Sequence, residues 1–378
     1  MWEERARSTR REVAALAASG VGVRALFTQA IDAVQRVVPS EVTCWAVLDP
    51  ETAVISAMVN GPVPVPAEYE PLLAVAEYSA GEPHTFADLA HRRVPVAVLS
   101  DLEQGARATS RRMNTVWRPL GLEQEARVVF LGADGVAWGA AGMVRAHGGF
   151  SAREVEYLGA VAPVLATATR LAVRVEVLAR LPAPGPAVVV VSMRGRTRSL
   201  TAQAEEWRAR FEDLAPGRFD ALLRLMLSGM AASRSGAFEA RLRDGLGGWA
   251  VLRATPLIGD DGEQAAVTIE SAGAGDLRGP VLLSFGLTPR ERAVCEQVLA
   301  GRSTAEIAAA LFISEHTVQD HLKAVFDKVG VRSRRRLVAS LAADRGPSAD
   351  AVLETGPDRR GTGSDPGLLG QTASSSGP

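Results

Sequence analysis

At 378 residues the chain is longer than a single hydrophobic core usually serves, so two or three domains are expected. Its 47% apolar content is that of an ordinary globular protein, and a formal net charge of −1 excludes a whole-chain electrostatic footprint for nucleic acid. Two cysteines, Cys44 and Cys295, have no CxxC-type neighbours, so a disulfide framework and a cysteine metal site are both set aside and the thiols read as small buried residues.

The start Met1-Trp2-Glu3-Glu4-Arg5 is charged and has no apolar h-region, and no run of eighteen apolar residues occurs. A cytoplasmic protein without a membrane partner is expected. Residues 1–38 read as helical, with Leu16, Val23, Leu26, Phe27, Ala30, Ile31 and Val34 near helical spacing. After Pro39-Ser40 come two strand signals, Val42–Leu48 and Ala53–Val59, joined by Asp49-Pro50-Glu51-Thr52. Helical patterns at Tyr69–Tyr78 and Asp101–Asn114 lead to a second strand pair, Ala126–Leu131 and Val136–Arg145. Ser151 and Glu154 form a capping-box signature for a helix reaching Leu181, where a Pro- and Gly-rich stretch ends it. Pro163 predicts a kink or break inside that helix. Val164, Ala168, Leu171, Val175 and Leu178 make a two-heptad seam, consistent either with a dimer-forming linker helix or with packing on its own domain.

Residues 187–275 read as a smaller α+β unit. Its signals are a strand at Ala187–Ser192, a turn at Met193–Arg196 and helices at Thr201–Phe211 and Phe219–Met230. Strands follow at Phe238–Leu242, Trp249–Leu257 and Gln264–Glu270, the last two joined by Gly259-Asp260-Asp261-Gly262. Residues 345–378 are rich in Gly, Pro, Ser and Asp, the composition of a disordered tail. No internal repeat is visible.

The segment from Ser284 to Ala343 reads as four helices. Thr288-Pro289-Arg290-Glu291 and Ser303-Thr304-Ala305-Glu306 are capping boxes, Ser314 caps a third helix, and Gly330 supplies its left-handed terminus. A short helix, a tight turn and a longer helix make the helix-turn-helix pattern. On a 100° wheel the third helix clusters Val318, Leu322, Val325, Phe326 and Val329 on one face. The opposite face carries His316, Thr317, Asp320, Lys323, Ala324 and Asp327, with Gln319 at its margin, side chains suited to base edges. Lys328, Arg332, Arg334, Arg335 and Arg336 form a basic cluster suited to phosphates. Ser284–Arg345 holds ten basic and seven acidic residues, a local net charge of +3. A helical bundle with a merely solvated polar face would give the same periodicity.

The run Leu287-Thr288-Pro289-Arg290-Glu291 followed by GRSTAEIAAALFISEHTVQDHLKAVFDKVGVRSRR resembles the LuxR-type (NarL-like) helix-turn-helix over about sixty residues. That resemblance implies a DNA-binding transcription regulator. His316, Thr317, Gln319, Asp320 and Lys323 would lie toward the major groove, and Lys328, Arg332, Arg334 and Arg335 would lie at phosphates. Dimerisation would run through the fourth helix at Leu337, Val338 and Leu341. Double-stranded DNA and a second copy of the chain are the implied partners, with RNA polymerase a further one such a regulator would meet. Three positions depart from the pattern: Gln319 where a basic residue is frequent, the acidic Asp320 and Asp327 on the groove face, and Arg336 where an acidic residue is common.

Residues 21–170 resemble a GAF domain, through their order of elements and the closing GFSAREVEYLGAVAPVLATATRLA, which implies a six-stranded antiparallel sheet with flanking helices. Residues 187–275 resemble a PAS-like module. The expected fold is multidomain: α+β GAF-like and PAS-like sensor units followed by an all-α four-helix LuxR-type helix-turn-helix domain. The expected boundaries are a helical lead at 1–20, the GAF-like unit at 21–170, a linker helix at 171–181, the PAS-like unit at 182–278, the DNA-binding domain at 284–344 and the tail at 345–378. The five histidines (84, 91, 147, 316, 321) are scattered, and no nucleophile elbow, P-loop or HExxH occurs. No catalytic residue, metal or cofactor is therefore expected, and a small-molecule effector is left unidentified. The rival expectation is a ligand- or partner-binding scaffold whose helix-turn-helix serves dimerisation only.

Overall fold

The computed structural model describes residues 2–66, 68–79, 81–178, 184–212, 217–244, 248–258 and 263–341. Helices α1 (Trp2–Ala18) and α2 (Val23–Gln35) precede strands β1 (Val42–Leu48) and β2 (Ile55–Asn60). Helices α3 (Glu70–Glu77) and α4 (Phe86–Arg92), strand β3 (Val96–Val98) and helix α5 (Gln104–Thr109) follow, then strands β4 (Gln124–Leu131) and β5 (Ala137–Arg145). The five strands form one antiparallel sheet in the order β2-β1-β5-β4-β3. The six-stranded expectation is thus corrected to five among the described residues. The sheet is covered on both faces, which is why its strands read as near-continuous apolar runs. Trp45, Val47, Ala126, Val128 and Phe130 enter the core shared with α2 and α6 (Ala152–Leu178), whereas Ala46, Leu48 and Val129 pack toward Phe86 and Leu89 of α4.

The second unit begins with β6 (Ala187–Ser192) and β7 (Thr197–Leu200), continues through α7 (Ala202–Glu212) and α8 (Arg218–Ala232), and ends with β8 (Phe238–Arg243), β9 (Trp249–Leu257) and β10 (Gln264–Ser271). Its sheet runs β7-β6-β10-β9-β8, again antiparallel. Counted within each unit, both sheets have the strand order 2-1-5-4-3 with helices between the second and third strands. The two units therefore repeat one topology that leaves no sequence repeat. The expected Gly259–Gly262 turn, the end of α6 beyond Leu178 and the 345–378 tail lie outside the described residues.

Helix α6 does not break at Pro163. That proline is exposed, so the carbonyl it leaves without an amide partner faces solvent rather than the core. The segment Ala152–Glu176 is long and apolar enough by composition to cross a membrane, yet its buried stripe (Leu158, Val161, Leu165, Ala172 and Val173 among others) packs on the first sheet. The heptad-like seam is not a separate exposed stripe, because Ala168 is buried in that same core while Val175 is exposed.

One face of the first sheet carries a buried ion network. Arg112 bridges Glu82 (2.8 Å) and Glu125 (2.9 Å), and Arg127 bonds Glu77 at 2.5 Å while its guanidinium stacks on Phe86. Burial opposes the charge on Glu125, but Arg112 and Arg127 outweigh it and hold this carboxyl below the usual range.

The chain then forms α9 (Ala274–Ser284), α10 (Pro289–Leu299), α11 (Thr304–Leu311), α12 (Glu315–Val329) and α13 (Arg334–Leu341). Helices α10 to α13 enclose a core of Leu287, Val294, Val298, Ile307, Val318, Leu322, Val325 and Leu337. A tie braces it from outside: Lys328 Nζ on α12 donates to Glu291 Oε2 at 2.6 Å and to the Gly286 carbonyl at 3.2 Å. Phe312, in the α11–α12 turn, adopts φ 55° with 95% of its surface exposed, so a bulky side chain holds a left-handed conformation without packing in return.

Replacing Arg112 with Leu strands Glu82 and Glu125 in the interior and is expected to cost roughly 3–5 kcal/mol, read from the denaturant midpoint. Burial opposes the Glu291 charge, yet Lys328 and the Thr288 amide outweigh it and lower that pKa in the folded state. The tie therefore stabilises above the ordinary carboxylate range and fades as pH falls through the lowered value. Glu291→Gln should cost about 1 kcal/mol at neutral pH, with the difference from wild type closing in acid; a gap that persists there would disprove the ionic tie. Phe312→Gly should raise the thermal midpoint, with about 1 kcal/mol of backbone strain relieved.

Candidate nucleic-acid interface

Each helix of the C-terminal bundle starts where a side chain satisfies its free amides. Thr288 Oγ1 accepts from the Glu291 amide (3.3 Å) while the Glu291 carboxylate accepts from the Thr288 amide (2.8 Å). Ser303 and Glu306 repeat the arrangement at 3.3 and 2.7 Å. Ser314 Oγ accepts from the Thr317 amide at 3.0 Å, which starts α12 where the sequence predicts. Gly330, at φ 78°, closes α12 in the left-handed conformation. These caps fix the ends of α12, and Val318, Leu322 and Val325, all buried, fix its rotation.

That rotation turns the polar residues outward. The His316 and Asp320 side chains are 88% and 68% exposed, and Gln319, Lys323 and Asp327 are exposed with them. Thr317, Ala324 and His321 are half-buried at the margins. The exposed set is not wholly free: Gln319 Nε2 donates to Thr304 Oγ1 at the start of α11 (3.3 Å), and His316 Nε2 lies 3.7 Å from Asp320 Oδ2. Sequence reasoning had no signal for the Gln319–Thr304 bond, since only the crossing of α11 and α12 brings these residues together.

The basic cluster divides in two. Arg332, Arg335 and Arg336 are exposed and Arg334 is half-buried, around the α12–α13 connection where Ser333 Oγ accepts from the Arg336 amide (3.2 Å). Lys328 is set apart, since its ammonium is held between Glu291 and Gly286. The residues expected to pair two copies also divide. Leu337 and Leu341 are buried inside the bundle, because α13 closes it with that face, whereas Val338 is half-buried.

Among the described residues no group of three or more His, Cys, Asp and Glu is placed to hold a metal. Burial pushes the Cys44 thiol up to about 12 and the Cys295 thiol up to about 11, so both are poor nucleophiles. A recess of about 430 Å³ opens beside the buried ion network, lined by Glu82, Pro83, His84, Thr85, Asp88 and Arg92 among others. His84 sits there at φ 53°, and burial together with Arg112 lowers the pKa of its imidazole.

Residues 286–341, which hold α10 to α13, match the model for bacterial regulatory proteins of the luxR family. The spore germination protein GerE of Bacillus subtilis is 46% identical over 55 residues, 15% of this chain and 74% of that protein. The CsgBAC operon transcriptional regulatory protein of Escherichia coli is 43% identical over 53 residues, covering 14% of this chain and 24% of that one. A Mycobacterium bovis protein described as an HTH-type transcriptional regulator is 40% identical over 83 residues, which span 22% of this chain but 9% of its own length. Among solved structures, PelD from Pseudomonas aeruginosa aligns over 72% of this chain and 81% of its own at 11% identity and a TM-score of 0.29, too low to define a shared fold. With its capped four-helix unit matching both the family model and most of GerE, the chain belongs to the luxR family of bacterial regulatory proteins.

Proposed function

We propose that this chain is a sequence-specific DNA-binding transcription regulator that works as a dimer and takes its input through its two sheet units. The observation that carries the reading is α12: one face buried through Val318, Leu322 and Val325, the other presenting His316, Gln319, Asp320 and Lys323 to solvent, within the segment that matches the family. In this reading α12 enters the major groove. Lys323 donates to guanine, Gln319 pairs with adenine while staying tethered to Thr304, and Asp320 accepts from cytosine N4. Thr317 and His316 line the groove edge. Arg332, Arg334 and Arg335 meet phosphates, and Lys328 serves as the interhelical tie rather than as a phosphate contact.

Two copies would pair around α13, with Val338 and the exposed residues of that helix as contacts and Leu337 and Leu341 supporting them from inside. A two-fold dimer would read half-sites about one helical turn apart. The first unit (21–170) acts as a GAF-like sensor and the second (182–278) as a PAS-like one, both ahead of a DNA-binding domain at 284–344. Their shared strand order and the recess beside His84 support that assignment. The acidic Asp320 and Asp327 favour a second reading, a scaffold that keeps the helix-turn-helix for pairing alone.

Selection of binding sites from random duplex DNA decides between them. Full-length protein should enrich a two-fold symmetric site, and Lys323→Ala should weaken binding to it by roughly 1–3 kcal/mol with relaxed specificity at one base pair. A stable dimer that enriches no sequence would favour the scaffold.

A further inference from the structure

Gln319 is fixed from outside its own helix. Its Nε2 donates to Thr304 Oγ1 at the start of α11 (3.3 Å), so a groove-face side chain of α12 is positioned by the helix that crosses it. Thr304 suits that role. It is half-buried, and its branched side chain has few rotamers to exchange. The capping bonds beside it run between Ser303 and Glu306, which leaves the Thr304 hydroxyl to Gln319. His316 and Asp320, by contrast, lie 3.7 Å apart on α12 itself, a contact that anchors neither to another helix.

A carboxamide carries one acceptor, Oε1, and two hydrogens on Nε2. With one hydrogen committed to Thr304, the edge left for DNA is a donor beside an acceptor, the set that adenine answers with N7 and its N6 amino group. Turned over, with Oε1 toward the Thr304 hydroxyl, the same side chain would offer both hydrogens outward and suit the N7 and O6 acceptors of guanine. We propose that Thr304 is a positioning residue that sets specificity: by holding the Gln319 amide in one orientation, it makes α12 read adenine and reject guanine at one base pair. The inference rests on the proposed entry of α12 into the major groove.

The test takes the site selected by the full-length chain and measures affinity for duplexes that differ only at the base pair whose preference Gln319→Ala abolishes. At that position wild type should prefer adenine over guanine by roughly tenfold or more, the value of one bidentate pair. Thr304→Val keeps the shape, removes the hydroxyl and should bring the two bases within about threefold of each other. Thr304→Ser restores the hydroxyl and should restore the preference. In the Gln319→Ala background Thr304→Val should change nothing further. Lost structure would weaken binding to both duplexes alike, so the ratio separates positioning from folding. The inference is overturned by an adenine preference unaltered in Thr304→Val, by a wild type that prefers another base there, or by a site in which no preference depends on Gln319. It is overturned equally by an effect of Thr304→Val that survives without Gln319. Those results leave the groove reading standing, whereas a wild type that enriches no sequence refutes that reading and the inference with it.

Discussion

The long helix α6 has to bury one continuous apolar stripe, and in doing so it touches the first sheet, the second sheet and α9. Its stripe closes the first sheet from one side, together with α1 and α2. At its far end Glu176 accepts from the Val23 amide at 2.5 Å and pairs with Arg243 of the second sheet. Between these points Arg170 and Arg174 reach the start of the C-terminal bundle. A rigid rod with three attachments transmits displacement along its length, whereas a flexible linker of the same reach would not. Trp249 of β9, buried with the α6 stripe, and the α9 leucines add apolar contacts to these attachments.

How much of this was legible depends on whether the signal is local. The C-terminal bundle was read almost residue by residue because its helix starts have polar caps and α10 and α12 stop at glycines, and those preferences act within four residues. The main strands were legible through their apolar runs. Short elements were not. Strand β3 has three residues and β7 alternates without a strong apolar side, so each is recruited by its neighbours in the sheet. The helical signal at Asp101–Asn114 breaks into α5 and a separate turn at Met113–Trp117, because Ser110 is drawn inward to Glu82. The span of α9 carries no helical expectation because Gly275, Gly279 and Pro280 lower its intrinsic propensity; three buried leucines on two faces make it a helix.

The candidate site shows the same division. The polar face of α12 follows from periodicity alone, since the burial of Val318, Leu322 and Val325 leaves no other rotation. Which polar residues are free is a different question, and charge by itself misleads there. Lys328 belongs to the basic cluster by sequence but is bound by Glu291, a residue that sequence shows only as a helix cap. Leu337 and Val338 are neighbours of like character, and the face each occupies on α13 decides that one is core and the other half-open. The repeated 2-1-5-4-3 order of the sheets is the extreme case, because strand order is set by pairing between distant segments and leaves no mark at any single position.

The contacts around α9 combine two chemistries. Its leucine contacts are apolar and insensitive to salt, so they hold the helix in place. Its orientation is set by Arg253, which is shared among Glu239, Glu270 and Asp276, all partly exposed and therefore screened. A guanidinium shared by three carboxylates can release one of them and keep two, so Asp276 can leave without stranding a buried charge. The network around Arg112 is less forgiving, since Arg112, Glu82 and Glu125 are all buried and loss of Arg112 leaves two carboxylates in the core without it. Buried pairs of the same unforgiving kind recur at Arg210–Asp244 in the second unit and at Arg241–Asp49 between the two, whereas the contacts of Arg253 with Asp276 at α9 are exchangeable.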